Sequence, residues 1–195
     1  MPSTINASTS SGIVQTADTS GTLELQSAGT TKLTIASTGA YGQLVSGTAV
    51  ASTSGTSIDF TSIPSWVKRI TVMFNAVSTN GSSNLLVQTG AGSVQTTGYL
   101  SQVWSGTTTN VTSTSGILVA AMNASFGISG ILVLNTMGSN VWVGSCLSNI
   151  VTTANIGYQS VGTVTVSGTL DRVRITTVNG TDTFDAGSIN ILYEG

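Results

Sequence analysis

The chain has 195 residues with five Lys or Arg, seven Asp or Glu and no His, so 6% of it is charged, against roughly 25% in an ordinary soluble domain. A net charge of −2 on scattered ions excludes phosphate-backbone recognition, which needs a basic patch. The absence of His, with a single Cys, excludes Ser-His-Asp and Cys-His catalysis and Cys/His zinc sites.

Ser and Thr supply about a third of the residues and Gly another 23, so hydroxyls and amides rather than ions solvate the surface. Such a surface suits a part of a symmetric assembly, because few ions need desolvating when neighbours pack. Disorder is not the reading, since 39% of the residues are hydrophobic and most fall in alternating runs. "MPSTINASTS" lacks the charged and apolar regions of a secretory signal. The longest apolar run, "GILVL" at 130–134, is too short to span a bilayer. Cytoplasmic synthesis without membrane insertion is expected.

From the N-terminus, residues 1–43 are Ser/Thr-rich with two short alternating pieces, "TLELQ" and "KLTIA". Leu23 and Leu25 share one face, Leu33 and Ile35 another, and neither piece can bury a core alone. These four residues are the expected inter-chain contacts of an attachment or oligomerisation arm. Residues 44–195 hold about ten further strand patterns and read as one self-sufficient all-β domain. The strands are expected near 56–61, 67–78, 84–89, 97–104, 116–121, 128–135, 140–146, 161–167, 169–178 and 187–194. The arm adds two more, near 22–26 and 32–36. Turn chemistry separates them at Asn80-Gly81, Gly138-Ser139-Asn140 and Asn179-Gly180.

Period-two alternation gives the strands their faces. In "WVKRITVMFNA", Ile70, Val72, Phe74 and Ala76 point inward, and Arg69, Thr71, Met73 and Asn75 outward. In "DRVRITT", Val173 and Ile175 go in and Arg172 and Arg174 out. Ile189, Ile191 and Tyr193 repeat the pattern at the C-terminus. Lys68 and Arg69 therefore read as a strand entrance and its wet face, not as a ligand cluster.

The segment "SIDFTSIPSWVKRITVMFNAVSTNGSSNLLVQTG", followed by "TTGY", resembles one that recurs in structural proteins of tailed bacteriophages, commonly tail fibre or virion appendage proteins. "IVQTADTSGTLELQSAGTTKLTI" looks like a module of phage fibre proteins. Together they cover roughly half the chain. The resemblance implies a homotrimeric virion protein, assembled in the host bacterial cytoplasm, with an antiparallel β-sandwich of jelly-roll-like topology behind the N-terminal arm. Its implied partners are other copies of itself and other virion proteins, a capsid or tail adaptor. Since fibres of this kind are often much longer, three placements stay open: a stubby fibre, a fibre tip held by an adaptor, or a capsid decoration protein.

No enzyme and no cofactor are expected. Asp182 and Asp185 are the one carboxylate pair that a glycosidase could use, and turn-capping, with pairing to Arg172 or Arg174, is the simpler account. "GAGSVQ" at 90–95 lacks the third Gly and following helix of a dinucleotide fingerprint and reads as a hairpin loop. Cys146, in "NVWVGSC", reads as a small buried hydrophobe. Contact with a host cell-surface glycan would need exposed ring faces. Tyr99 and Trp104, which flank a loop-rich stretch, are the candidates.

Overall fold

The computed structural model describes residues 23–35, the strands there by their backbone, and residues 44–105, 110–152 and 156–195. The chain divides into two compact units, Met1–Tyr41 and Gly42–Gly195, a border two residues earlier than the sequence suggests.

In the first unit, β1 (Leu23–Ser27) and β2 (Thr30–Ile35) form an antiparallel hairpin. Its turn residues Ala28 and Gly29 both have positive φ, 51° and 72°, the geometry whose twist matches that of the flanking strands. The register sets Leu23 opposite Ile35 and Leu25 opposite Leu33. Directly paired residues share a face, so these four positions fall on one face of the hairpin rather than on two. Their side chains, and the inter-chain contacts expected of them, lie outside the described residues.

The second unit is an antiparallel β-sandwich, as expected, and its described residues include no helix. In chain order the strands are β3 (Leu44–Ser46), β4 (Val50–Ala51), β5 (Ser57–Thr61), β6 (Arg69–Thr79), β7 (Leu85–Ala91), β8 (Ser93–Val94), β9 (Leu100–Ser105) and β10 (Val111–Ser113). They continue with β11 (Ile117–Ala120), β12 (Ile128–Gly138), β13 (Val141–Ile150), β14 (Gly157–Thr165), β15 (Arg172–Thr177) and β16 (Phe184–Glu194). The large sheet has nine strands in the order β10-β9-β14-β13-β12-β6-β16-β3, with β4 also on β16. The small sheet has five, β11-β7-β15-β5 with β8 on β7. The short strands β3, β4, β8 and β10 have too few residues to show a period in the sequence.

The inward residues of the two sheets make one core. Ile70, Val72 and Phe74 of β6, Leu132 and Leu134 of β12, Trp142 and Cys146 of β13 and Ile189 and Ile191 of β16 bury from the large sheet. Val87, Ile117, Val173 and Ile175 meet them from the small one. Fully burying side chains of this size stabilises by about 1.5–3 kcal/mol each before chain entropy is subtracted.

The edge strand β11 shows how the sheets close on each other. The large sheet's inner face is lined there by small residues, so β11 lies close enough for serines to serve its backbone. Ser101 Oγ accepts from the Leu118 N–H at 2.9 Å, Ser160 donates to the Leu118 carbonyl, and Ser148 to that of Val119 at 2.9 Å. Ile117 packs over Gly144 and Gly162, where an added Cβ would come within 2.8 and 3.1 Å of it. A sheet edge that would otherwise invite pairing with another chain is thus covered.

One expected facing fails. Ala76 does not continue the inward row of β6, because the strand bulges there. Its φ is 50°, its N–H bonds Ser129 Oγ at 2.9 Å, and Val77 takes the inward place. Gly187 crosses this bulge from β16 with φ 93°, where a Cβ would lie 2.5 Å from the Ala76 carbonyl oxygen. An inserted residue of this kind reverses the parity of everything after it, which alternation alone does not reveal.

Candidate functional site

The two glycan candidates separate at Gly98. With φ 83°, Gly98 turns the chain so that Tyr99 faces inward and Leu100 outward. Tyr99 is 1% exposed, against the expectation of an open ring. Its hydroxyl accepts from the Thr89 N–H at 2.7 Å and donates to the Gln95 carbonyl at 3.0 Å, and burial pushes its pKa upward. Tyr99 is a tie between β7 and the start of β9, and cannot stack on a sugar. Trp104 is 48% exposed. It borders an open depression of about 370 Å³ with Gln102, Asn110, Gln159 and Val161, and it alone remains of the pair.

Among the described residues the other Trp and Tyr rings are engaged in the fold. Trp142 and Tyr158 are buried, and Trp66 packs on Tyr193 with ring centroids 6.1 Å apart.

Asp59, Asp171, Asp182 and Glu194 are each bonded within the fold. Asp182 caps a turn, accepting from Ser83 N–H at 2.9 Å and Asn179 Nδ2 at 2.6 Å. It does not pair with either arginine, as the sequence reading allowed. Arg174 instead forms a two-pronged bridge to Asp59 at 2.7 and 2.8 Å, and Arg172 binds Asp171 at 2.8 Å. Asp59 lies in the strand paired with β15, a neighbour that only the register reveals. Arg69 meets Glu194 at 3.3 Å, consistent with a strand entrance rather than a ligand site. Among the described residues no three His, Cys, Asp or Glu side chains converge. Cys146 is buried, and that burial pushes its thiol up to about 12, leaving no thiolate near neutrality.

What the sequence reading missed is the outward face of the large sheet. The registers align three rows across β9, β14, β13, β12 and β6. One runs Trp104, Gln159, Leu147, Ile131, Met73, the next Gln102, Val161, Ser145, Val133, Thr71, and the third Leu100, Thr163, Val143, Asn135, Arg69. Leu100, Leu147 and Val161 are 70%, 66% and 62% exposed, and Ile131 and Val143 are also open. A second open depression, of about 660 Å³, lies among Leu100, Gln102, Val143, Ser145, Val161 and Thr163. Arg69, which ends the third row, is paired with Glu194.

The signal for this face was present in the sequence. From residue 70 to residue 170 there is not one charged residue. Within that run the outward positions of β9, β12, β13 and β14 keep large apolar residues where a solvated strand would carry polar ones. No family model, no curated protein and no solved structure matches the chain.

Proposed function

We propose that this chain is a non-enzymatic structural component of a tailed-phage particle, a short trimeric tail fibre or virion appendage anchored by its N-terminal arm. The outward face of the nine-stranded sheet carries the reading. A broad apolar surface with its neighbouring ions already paired is what a part built for assembly presents, and it offers no constellation for catalysis. The resemblance of the 57–90 and 13–35 stretches to phage fibre proteins supplies the kind of particle. Among the described residues the first unit offers the two strands of its hairpin, too few to bury the Leu23, Leu25, Leu33 and Ile35 positions by themselves, which suits an arm that finishes folding on a host surface.

Cryo-electron microscopy of the particle tests this. A few trimers at the tail are the expected result. Hundreds of copies over the shell would replace the appendage with a capsid decoration protein, and absence from the particle would overturn the virion reading.

A further inference from the structure

We infer that the outward face of the nine-stranded sheet, centred on Leu147, Val161, Ile131 and Val143, is where copies of this chain pack against one another, turned toward their common symmetry axis. The inference rests on the assembly reading and names the surface through which the copies meet.

Three observations select this occupant. The first is charge. Around a rotation axis every copy brings the same residue to the same place, so a charge there meets its own like charge. Strands β9, β10, β12, β13 and β14 contain no charged residue, and the face can approach its own copies without that penalty. The small sheet's outward surface, with Arg174 and Asp59, has no such freedom. The second is chemistry. Gln102, Gln159, Asn135, Ser145 and Thr163 lie among the apolar residues, and each carries both donors and acceptors, so it can bond a copy of itself. A nucleic acid would require cations here, a bilayer surface a cationic rim and an unbroken apolar face, and a charged protein partner opposite charges; these five strands have none of them, and Arg69 beside them is paired with Glu194. The third is size. The five uncharged strands from β10 to β12, about 4.8 Å each, and three rows of about 6.8 Å each give roughly 24 by 20 Å. That is about 480 Å² before side-chain relief, the footprint of an interface toward the smaller end of the range around roughly 800 Å² per partner. Leu147 stands beside the depression floored by Ser145 and Val161, giving the face both projections and recesses.

The test is the mass of the purified full-length protein in solution, by light scattering behind size exclusion over a concentration series. Wild type should be an oligomer. Leu147→Asp should weaken association by about 100-fold or more, since a charge would be buried at every copy. Thr61→Asp, exposed on the small sheet, should leave it unchanged. A wild type that stays monomeric at about 100 µM, far above standard-interface affinities, overturns the inference, as does an intact Leu147→Asp oligomer. If Leu147→Asp fails to fold, Leu147→Cys with a short bismaleimide replaces it. Linked copies are expected and their absence overturns the inference, the neighbouring Cys146 being buried and silent. The virion reading fails separately: a solution oligomer missing from particles sinks that reading alone, and a solution monomer found in particles sinks this inference alone.

Discussion

The two outward faces of the sandwich rest on one core and could hardly differ more. The small sheet presents Arg172 and Arg174 from β15, bound to Asp171 and Asp59 within hydrogen-bonding distance. The large sheet presents Leu100, Leu147 and Val161 about two-thirds exposed, with amides and hydroxyls between them. Strands β9, β13 and β14 alternate against the core, as β15 does around its arginines, so burial within the chain is satisfied at both of these surfaces. The difference therefore belongs to what each face meets outside: water with ions on one side, and on the other a surface that would otherwise leave large side chains wet. A fold needs one inward face per sheet, and a second apolar face is information about partners.

Changes that strike both faces together should have the largest effect. Ile117 lies between the sheets on Gly144 and Gly162, so Ile117→Ala opens a cavity beneath β13 and β14. A loss of about 2–5 kcal/mol is expected, read by urea denaturation. A normal midpoint would mean that β11 does not couple the sheets.

The two aromatic neighbours on β9's approach should split next. Tyr99→Phe leaves the Thr89 N–H without its acceptor in the core, at a cost of about 1–3 kcal/mol. Trp104→Ala, on the outward face, should change the stability of the monomeric fold by no more than about 0.5 kcal/mol. Equal losses in thermal melts would erase the distinction between core tie and surface ring.

Converting one face toward the other sharpens the contrast further. Asp59→Leu with Arg174→Leu removes an exposed pair, and stability should move by about 1 kcal/mol or less. The same change should make the small sheet's face sticky, so that light scattering at low salt detects association beyond the wild-type oligomer. Unchanged scattering would show that an apolar pair alone does not make a docking surface.

The smallest effect is electrostatic. Hydrogen bonds from the Arg172 side chain and the Gly92 N–H hold the Asp171 carboxyl below its ordinary value. A carboxyl lowered on folding stabilises the native state above its unfolded pKa, and that contribution disappears as pH falls through the lowered value. Solvent reaches this pair, so the gain is slight. Asp171→Asn should reduce the difference between urea midpoints measured near neutrality and at about pH 3. An identical pH dependence in the variant would remove Asp171 from the account.

Much of the fold was legible because a strand's alternation is local. β6, β12, β13, β15 and β16 could be read from Ile70-x-Val72-x-Phe74 and its equivalents, and turn residues such as Asn179-Gly180 marked the breaks. Ala76 was misread because a bulge shifts parity without changing composition. Tyr99 was misread because a single positive φ at Gly98 decides which side of the sheet the next ring enters. The candidate site was less legible. Its residues are spread over β9, β12, β13 and β14, and they become neighbours through pairing registers, which no spacing along the chain encodes.

The sequence by itself determined the class of the protein: all-β, with two short alternating runs in its N-terminal piece, no histidine chemistry, and a century of residues without a charge between Arg69 and Asp171. Those follow from composition and period, which act at every residue independently. Tertiary structure alone decided which face each aromatic took, that Arg174 would find Asp59, and that Leu100, Leu147 and Val161 would be gathered on one open surface. Such placements depend on which strands lie side by side, and that is settled by the packing of the whole core at once.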